Sequence, residues 1–198
     1  MGYFTYRIFR DLDAASLLGR VRKNLALYPH DGPAATISVD LVEGDGCAAL
    51  LFSGSLEEQL FRPIGYQTGG VWMDVRYQDG DSWDLSLLMG FEQLANHSVN
   101  PWAYDESPNY NQKGIDYRIE KICSSWPRQG QRLRPYLLPW KYPKKILGIE
   151  KLVDREGKAM PQDRFVYGDA HQIYDFLAHF GFSDSSLRTE ITHPEKEN

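Results

Sequence analysis

Residues 71 to 89 constrain the fold of this chain more than any other stretch. They read VWMDVRYQ, then DGDS, then WDLSLLM. Val71, Met73, Val75 and Tyr77 alternate with Trp72, Asp74 and Arg76, and Trp83, Leu85 and Leu87 alternate with Asp84 and Ser86. A period of two over both runs, separated by Gly and Asp, specifies two antiparallel strands joined by a tight turn. The same pattern occurs earlier: ATISVDLV (35–42) and CAALLFS (47–53) flank EGDG. Four strands with short turns predict an antiparallel β-meander, preceded by a further strand-like run, YFTYRIF (3–9).

The helical signals are different in kind. In AASLLGRVRKNLALY, Leu17, Leu18, Val21, Leu25 and Tyr28 share a stripe from which Arg20, Lys23 and Asn24 fall away, which predicts a helix lying on the sheet. PHDGP (29–33) ends it. SLEEQLFRPIGYQTGG has no clear period and reads as a connection. After residue 90 the sequence predicts helices and loops in place of strands. Ile115, Ile119, Ile122 and Trp126 recur at helical spacing behind Asn111 as cap. Ile173, Phe176, Leu177 and Phe180 form the apolar face of a last helix, with Asp169 and Gln172 resembling a capping box and Gly181 at the C-terminal cap.

These elements predict one α+β domain over residues 1–198. Its sheet-forming half is 1–90, with one helix packed on the sheet, its helical and loop half is 91–188, and 189–198 is a frayed polar tail. A chain of 198 residues buries enough surface to need neither disulfide nor metal. Cys47 and Cys123 share no CxxC spacing and read as thiols of a reducing compartment. No apolar run approaches the roughly 20 residues of a membrane helix and no secretory leader is evident, so a cytoplasmic location is expected.

No phosphate-binding, dinucleotide-binding, HExxH, GxSxG or paired CxxC motif occurs, and no metal or cofactor is expected. Chemistry assembled from distant residues has two candidate sources. His97 opens an aperiodic stretch, NHSVNPWAYDESPNYNQ (96–112), rich in aromatic and acidic residues; beside Asp74, Asp84 or Asp105 it would make a general base for a hydrolytic or acid-base enzyme. Asp74 and Asp84 also invite reading as a carboxylate pair, although Arg76 on the same strand face offers them a cross-strand ion pair. His171 and His179, eight residues apart, are too far along a helix for the i, i+4 spacing that suits one metal ion.

The least average segment is RIEKICSSWPRQGQRLRPYLLPWKYPKK (118–145), which carries eight cationic residues against Glu120 alone in a chain of net charge -5. Arginine beside tyrosine and tryptophan is the composition of interface hot spots and of stacking platforms for nucleic acid. Leu133 and Leu137 could equally be core, with the cationic stems reaching outward. The negative total favours a protein partner, an acidic one, over nucleic acid. The expectation is therefore a non-enzymatic protein-binding domain, for which a neutralising or immunity-type role fits the size and aromatic richness. The residues expected to carry it are Trp102, Tyr104, Arg132, Arg134, Trp140, Lys144 and Lys145.

Overall fold

The computed structural model describes residues 3–27, 35–53, 55–78, 82–98, 112–137, 158–166, 169–182 and 187–193. Strands β1 (Phe4–Arg10), β2 (Ala35–Gly44), β3 (Cys47–Phe52), β4 (Val71–Gln78), β5 (Ser82–Met89), β6 (Glu92–Ser98) and β7 (Leu187–His193) form one sheet in the order β6-β5-β4-β1-β3-β2-β7. Every neighbouring pair is antiparallel. The α+β class and the antiparallel sheet expected from the sequence are present. The four hairpin strands are not one uninterrupted meander, because β1 lies between β3 and β4 and pairs with both.

Period-two alternation sends successive side chains of the central strands into two different cores. Ile8, Ala49 and Met73 enter one; Phe9, Ala48 and Trp72 enter the other. Helices α1 (Ala14–Leu27) and α2 (Ser55–Gln67) cover the second, through Leu17, Val21, Leu25, Phe61 and Ile64. Helices α3 (Gln112–Ser125), α4 (Gly130–Leu133), the 3-10 turn Arg134–Leu137 and α5 (Gln172–Ala178) cover the first. Strands from the first half and helices from the second thus share a core. Double coverage explains why CAALLF is almost continuously apolar.

The segment SLEEQLFRPIGYQ is helix α2, although Pro63 sits inside it. Proline removes one helical hydrogen bond, and beside that gap the Leu60 carbonyl accepts a 2.7 Å bond from Asn24 Nδ2, so Asn24 is buried and ties α1 to α2 although the amphipathic pattern of α1 places it off the stripe. Gly65 is the other residue that obscures this helix. A β-carbon there would stand 2.6 Å from the Trp72 ring, so glycine lets the α2 backbone lie directly on the indole and bury it. That is the cover an outward-pointing Trp72 requires.

Strands also continue past residue 90. EQLANHS is β6, paired with β5 across a register shift at Leu87/Leu88, and Leu187–His193 is β7, paired with β2 from Leu41↔Leu187 to Ala35↔His193. Residues 189–193 are therefore sheet and not a frayed tail; 194–198 lie outside the described residues. At the last helix, Ile173, Phe176, Leu177 and Phe180 are buried and Gly181 adopts φ +78. Its start departs from a capping box: His171 is the cap residue, without a side-chain capping bond, and Asp169 Oδ1 instead accepts from the His171 backbone N–H at 2.8 Å.

Candidate functional site

Register decides the fate of the His97 hypothesis. His97 pairs with Leu85 and Ser98 with Asp84, so His97 turns to the α3 side of the sheet while Asp84, like Asp74, turns to the α1/α2 side. The His97–Asp74 and His97–Asp84 couples are not assembled. His97 is 3% exposed, and burial first, with the Arg118 charge second, pushes its pKa down to about 3, so it stays neutral. Asp105 lies outside the described residues.

Asp74 has a partner that hairpin patterning alone does not supply. Arg7, its direct cross-strand neighbour on β1, grips it with two parallel bonds, Nε to Oδ1 and Nη2 to Oδ2, each 2.8 Å. Both side chains are almost wholly buried, at 1% and 2% exposure. The guanidinium plane lies 4.8 Å from the Trp72 ring centroid and 5.3 Å from that of Phe52. Arg76 Nη2 stands 3.4 Å from Asp74 Oδ2, and Arg76 Nη1 reaches to 4.0 Å from Asp84, which also accepts from Gln78 at 2.9 Å. Burial raises the Asp84 pKa and Arg76 opposes the rise. Two aspartates interleaved with two arginines form a structural ladder and not an acid/base couple. The signal for it in the sequence was the charge of Arg7 in the middle of an aromatic strand.

The histidines on the C-terminal helix are also engaged. Tyr136 hydroxyl donates to Asp163 Oδ1 at 2.6 Å and lies 2.7 Å from His179 Nε2. Asp163 Oδ2 in turn accepts the Met160 N–H at 2.8 Å. Burial, then the Asp163 contact, drives the Tyr136 hydroxyl far above its ordinary range, and burial lowers His179. Cys47 and Cys123 are free and buried, which lifts their thiols to about 12 and about 11 and makes them unreactive near neutrality. Among the described residues there is no cluster of three metal-ligating groups, and no helix long and apolar enough to cross a membrane.

The cationic segment divides cleanly between inside and outside. Ile119, Ile122, Trp126, Leu133, Tyr136 and Leu137 are core, each 1% exposed or less. Tyr136 is therefore not presented to a partner, since its hydroxyl is committed to Asp163 and His179. With that stripe turned inward, Tyr117 of α3 and Arg132 of α4 are outside, Arg128 is exposed in the turn between the two helices, and Lys121 Nζ sits 5.9 Å above the Tyr117 ring. Arg134 is partly exposed and pairs with Glu120, which keeps its guanidinium on the outer side and raises its pKa. Of the residues expected to bind a partner, Arg132 is exposed and lies toward His179, while Arg134 is partly exposed and lies toward Glu120 of α3. Trp102, Tyr104, Trp140, Lys144 and Lys145 lie outside the described residues. Tyr117, one position before the basic run, is a surface aromatic the sequence pattern did not single out.

No protein-family model, curated protein or solved structure matches the chain. The chemistry of its own surface is what supports a function.

Proposed function

We propose that this chain is a non-enzymatic, cytoplasmic binding protein that captures an acidic protein partner, in the manner of a neutralising or immunity-type protein. The observation that supports this reading is the division of residues 117–137: the apolar side chains are used up in the core, and the side chains left outside are Tyr117 and a net-cationic set, Arg128, Arg132 and Arg134 against Glu120, on a chain of net charge -5. Opposed patches of charge steer encounter and exclude wrong partners. Arginine and tyrosine at the centre of such a patch are the residue types that dominate interface energies. The ion-paired state of Asp74 and Asp84, and the neutrality of His97, leave the acid-base alternative without an assembled couple among the described residues.

The test is capture of partners from extracts of the protein's own source, treated with nuclease, by the intact chain and by an Arg134→Ala/Trp140→Ala control, with mass spectrometry of what is retained. One stoichiometric acidic protein lost in the control supports the proposal. Retention that disappears with nuclease treatment would turn the reading to nucleic acid, and retention of nothing would remove it.

A further inference from the structure

The end of β1, the β2–β3 turn and the turn between α3 and α4 meet around two adjoining cavities of about 300 Å3 each, the size at which small-molecule sites begin. Asp11, Gly46 and Arg128 line both. Asp45, Trp126 and Gln129 belong to the first, and Asp13 and Glu43 to the second. Trp126 is 1% exposed, and its indole Nε1 has no hydrogen-bond partner among the described residues.

Backbone bonds fix the shared wall. The Asp45 N–H donates to the Phe180 carbonyl at 2.6 Å, the Asp45 carbonyl accepts from Gln129 Nε2 at 3.0 Å, and the Gly46 carbonyl accepts from the Asp11 N–H at 3.0 Å. Arg128 rests on this turn, where a β-carbon on Gly46 would collide with its Nη1. The lining charges then divide into occupied and open. Arg10 donates from Nε to Asp11 and from Nη1 to the Ser125 carbonyl, and Asp13 Oδ1 accepts from the Ser16 N–H at the start of α1. The side chains of Arg128, Asp45 and Glu43 have neither hydrogen bond nor ion pair among the described residues, although Arg128 shares a cavity with each carboxylate. A simple anion would meet Arg128 but also the two acids, and a simple cation would meet the acids but also Arg128. One carboxylate and two cationic groups on a single ligand match all three, and a guanidinium takes a carboxylate through two parallel bonds.

We infer that the adjoining cavities bind a basic α-amino acid, with its carboxylate on Arg128, its α-ammonium on Asp45 and its side-chain cation on Glu43. The chain of the ligand then crosses from the first cavity to the second over Gly46, the residue that lines both. The inference does not rest on partner capture, because Arg132 and Arg134 line neither cavity.

Calorimetric titration of the full chain with L-lysine, with cadaverine, which lacks the carboxylate, and with L-norleucine, which lacks the side-chain ammonium, tests it without any substitution. Lysine should bind, and each analogue at least roughly tenfold more weakly, the difference one hydrogen bond to a charged group makes. Arg128→Gln should abolish the preference for lysine over cadaverine, and Glu43→Gln the preference for lysine over norleucine. Both should keep the native melting curve, because both side chains are exposed. The Arg132→Glu/Arg134→Ala variant should bind lysine as the native chain does. No binding of lysine, equal affinity for the three compounds, or an Arg128→Gln variant that still prefers lysine to cadaverine would overturn the inference. So would loss of lysine binding in Arg132→Glu/Arg134→Ala, which would place the ligand elsewhere on the molecule.

Discussion

Two of the arginine–carboxylate pairs among the described residues use the same chemistry in opposite surroundings. Arg7 and Asp74 are sealed between the sheet and the helices that cover it, bidentate and sandwiched against Trp72 and Phe52. Arg134 and Glu120 pair at the surface of α3 and the following turn, with side chains 38% and 61% exposed. The first pair has given up its water, so each partner depends on the other; the second keeps its water, so each is nearly free to do something else. The comparison teaches where function can reside: a buried charge is occupied by the fold, and a solvated one is available to a partner.

The largest effect should come from breaking the buried pair on one side only. Asp74→Ala strands the Arg7 charge between two aromatic rings and should cost about 3–5 kcal/mol in denaturant unfolding. The double substitution Arg7→Met/Asp74→Leu should recover most of that loss, because neither charge is left behind. If the double variant is as unstable as the single one, the pair is not the source of the cost.

A buried polar contact without an arginine is the Tyr136–Asp163–His179 group. Tyr136→Phe keeps the packing and removes only the hydroxyl, leaving a buried Asp163 oxygen without its donor, and should cost about 1–3 kcal/mol by the same assay. An unchanged midpoint would mean that water replaces the phenol without loss.

The pH dependence follows from His97. The unfolded chain takes up a proton at this residue near its ordinary value of 6.5, while the folded chain, with a pKa pushed down to about 3, does not. Its contribution is therefore complete above pH 6.5 and is lost as the pH falls toward 3, by about 1.4 kcal/mol per pH unit. Stability curves of the native chain and a His97→Gln variant should diverge from parallel below pH 6.5, with the variant less steep. Identical slopes would show that His97 is protonated in the folded state. His179, lowered by burial, adds a dependence of the same sign.

The smallest stability effect belongs to the surface pair. Arg134→Ala should move stability by about 0–1 kcal/mol while weakening partner capture, the reverse of what Asp74→Ala does to stability. A loss of several kcal/mol would place Arg134 among the structural residues.

The contrast also marks what was legible in the residues alone. Hairpin β4–β5 was readable because Val71–Met73–Val75–Tyr77 and Trp83–Leu85–Leu87 keep a strict alternation. The last helix was readable because its apolar stripe ends at a glycine with positive φ. Helix α2 was hidden by Pro63 and Gly65, a residue that removes one helical hydrogen bond and a glycine whose lack of a β-carbon allows contact with Trp72. Strand β6 was hidden because only Ala95 and His97 of EQLANHS are buried, and β7 because pairing with β2 is a fact about distant registers. The site divided the same way. Outward cations at Arg132 and Arg134 follow from helical period, whereas Arg7 meeting Asp74 requires knowing that β1 inserts beside β4.

The most direct test of the account is to measure stability and partner capture on one preparation carrying Arg132→Glu and Arg134→Ala. The melting temperature should stay within about 2–4 °C of that of the native chain, corresponding to 1 kcal/mol or less, while the captured protein is lost. Capture undiminished at native stability, or a collapse of stability, would contradict the assignment of this surface to recognition.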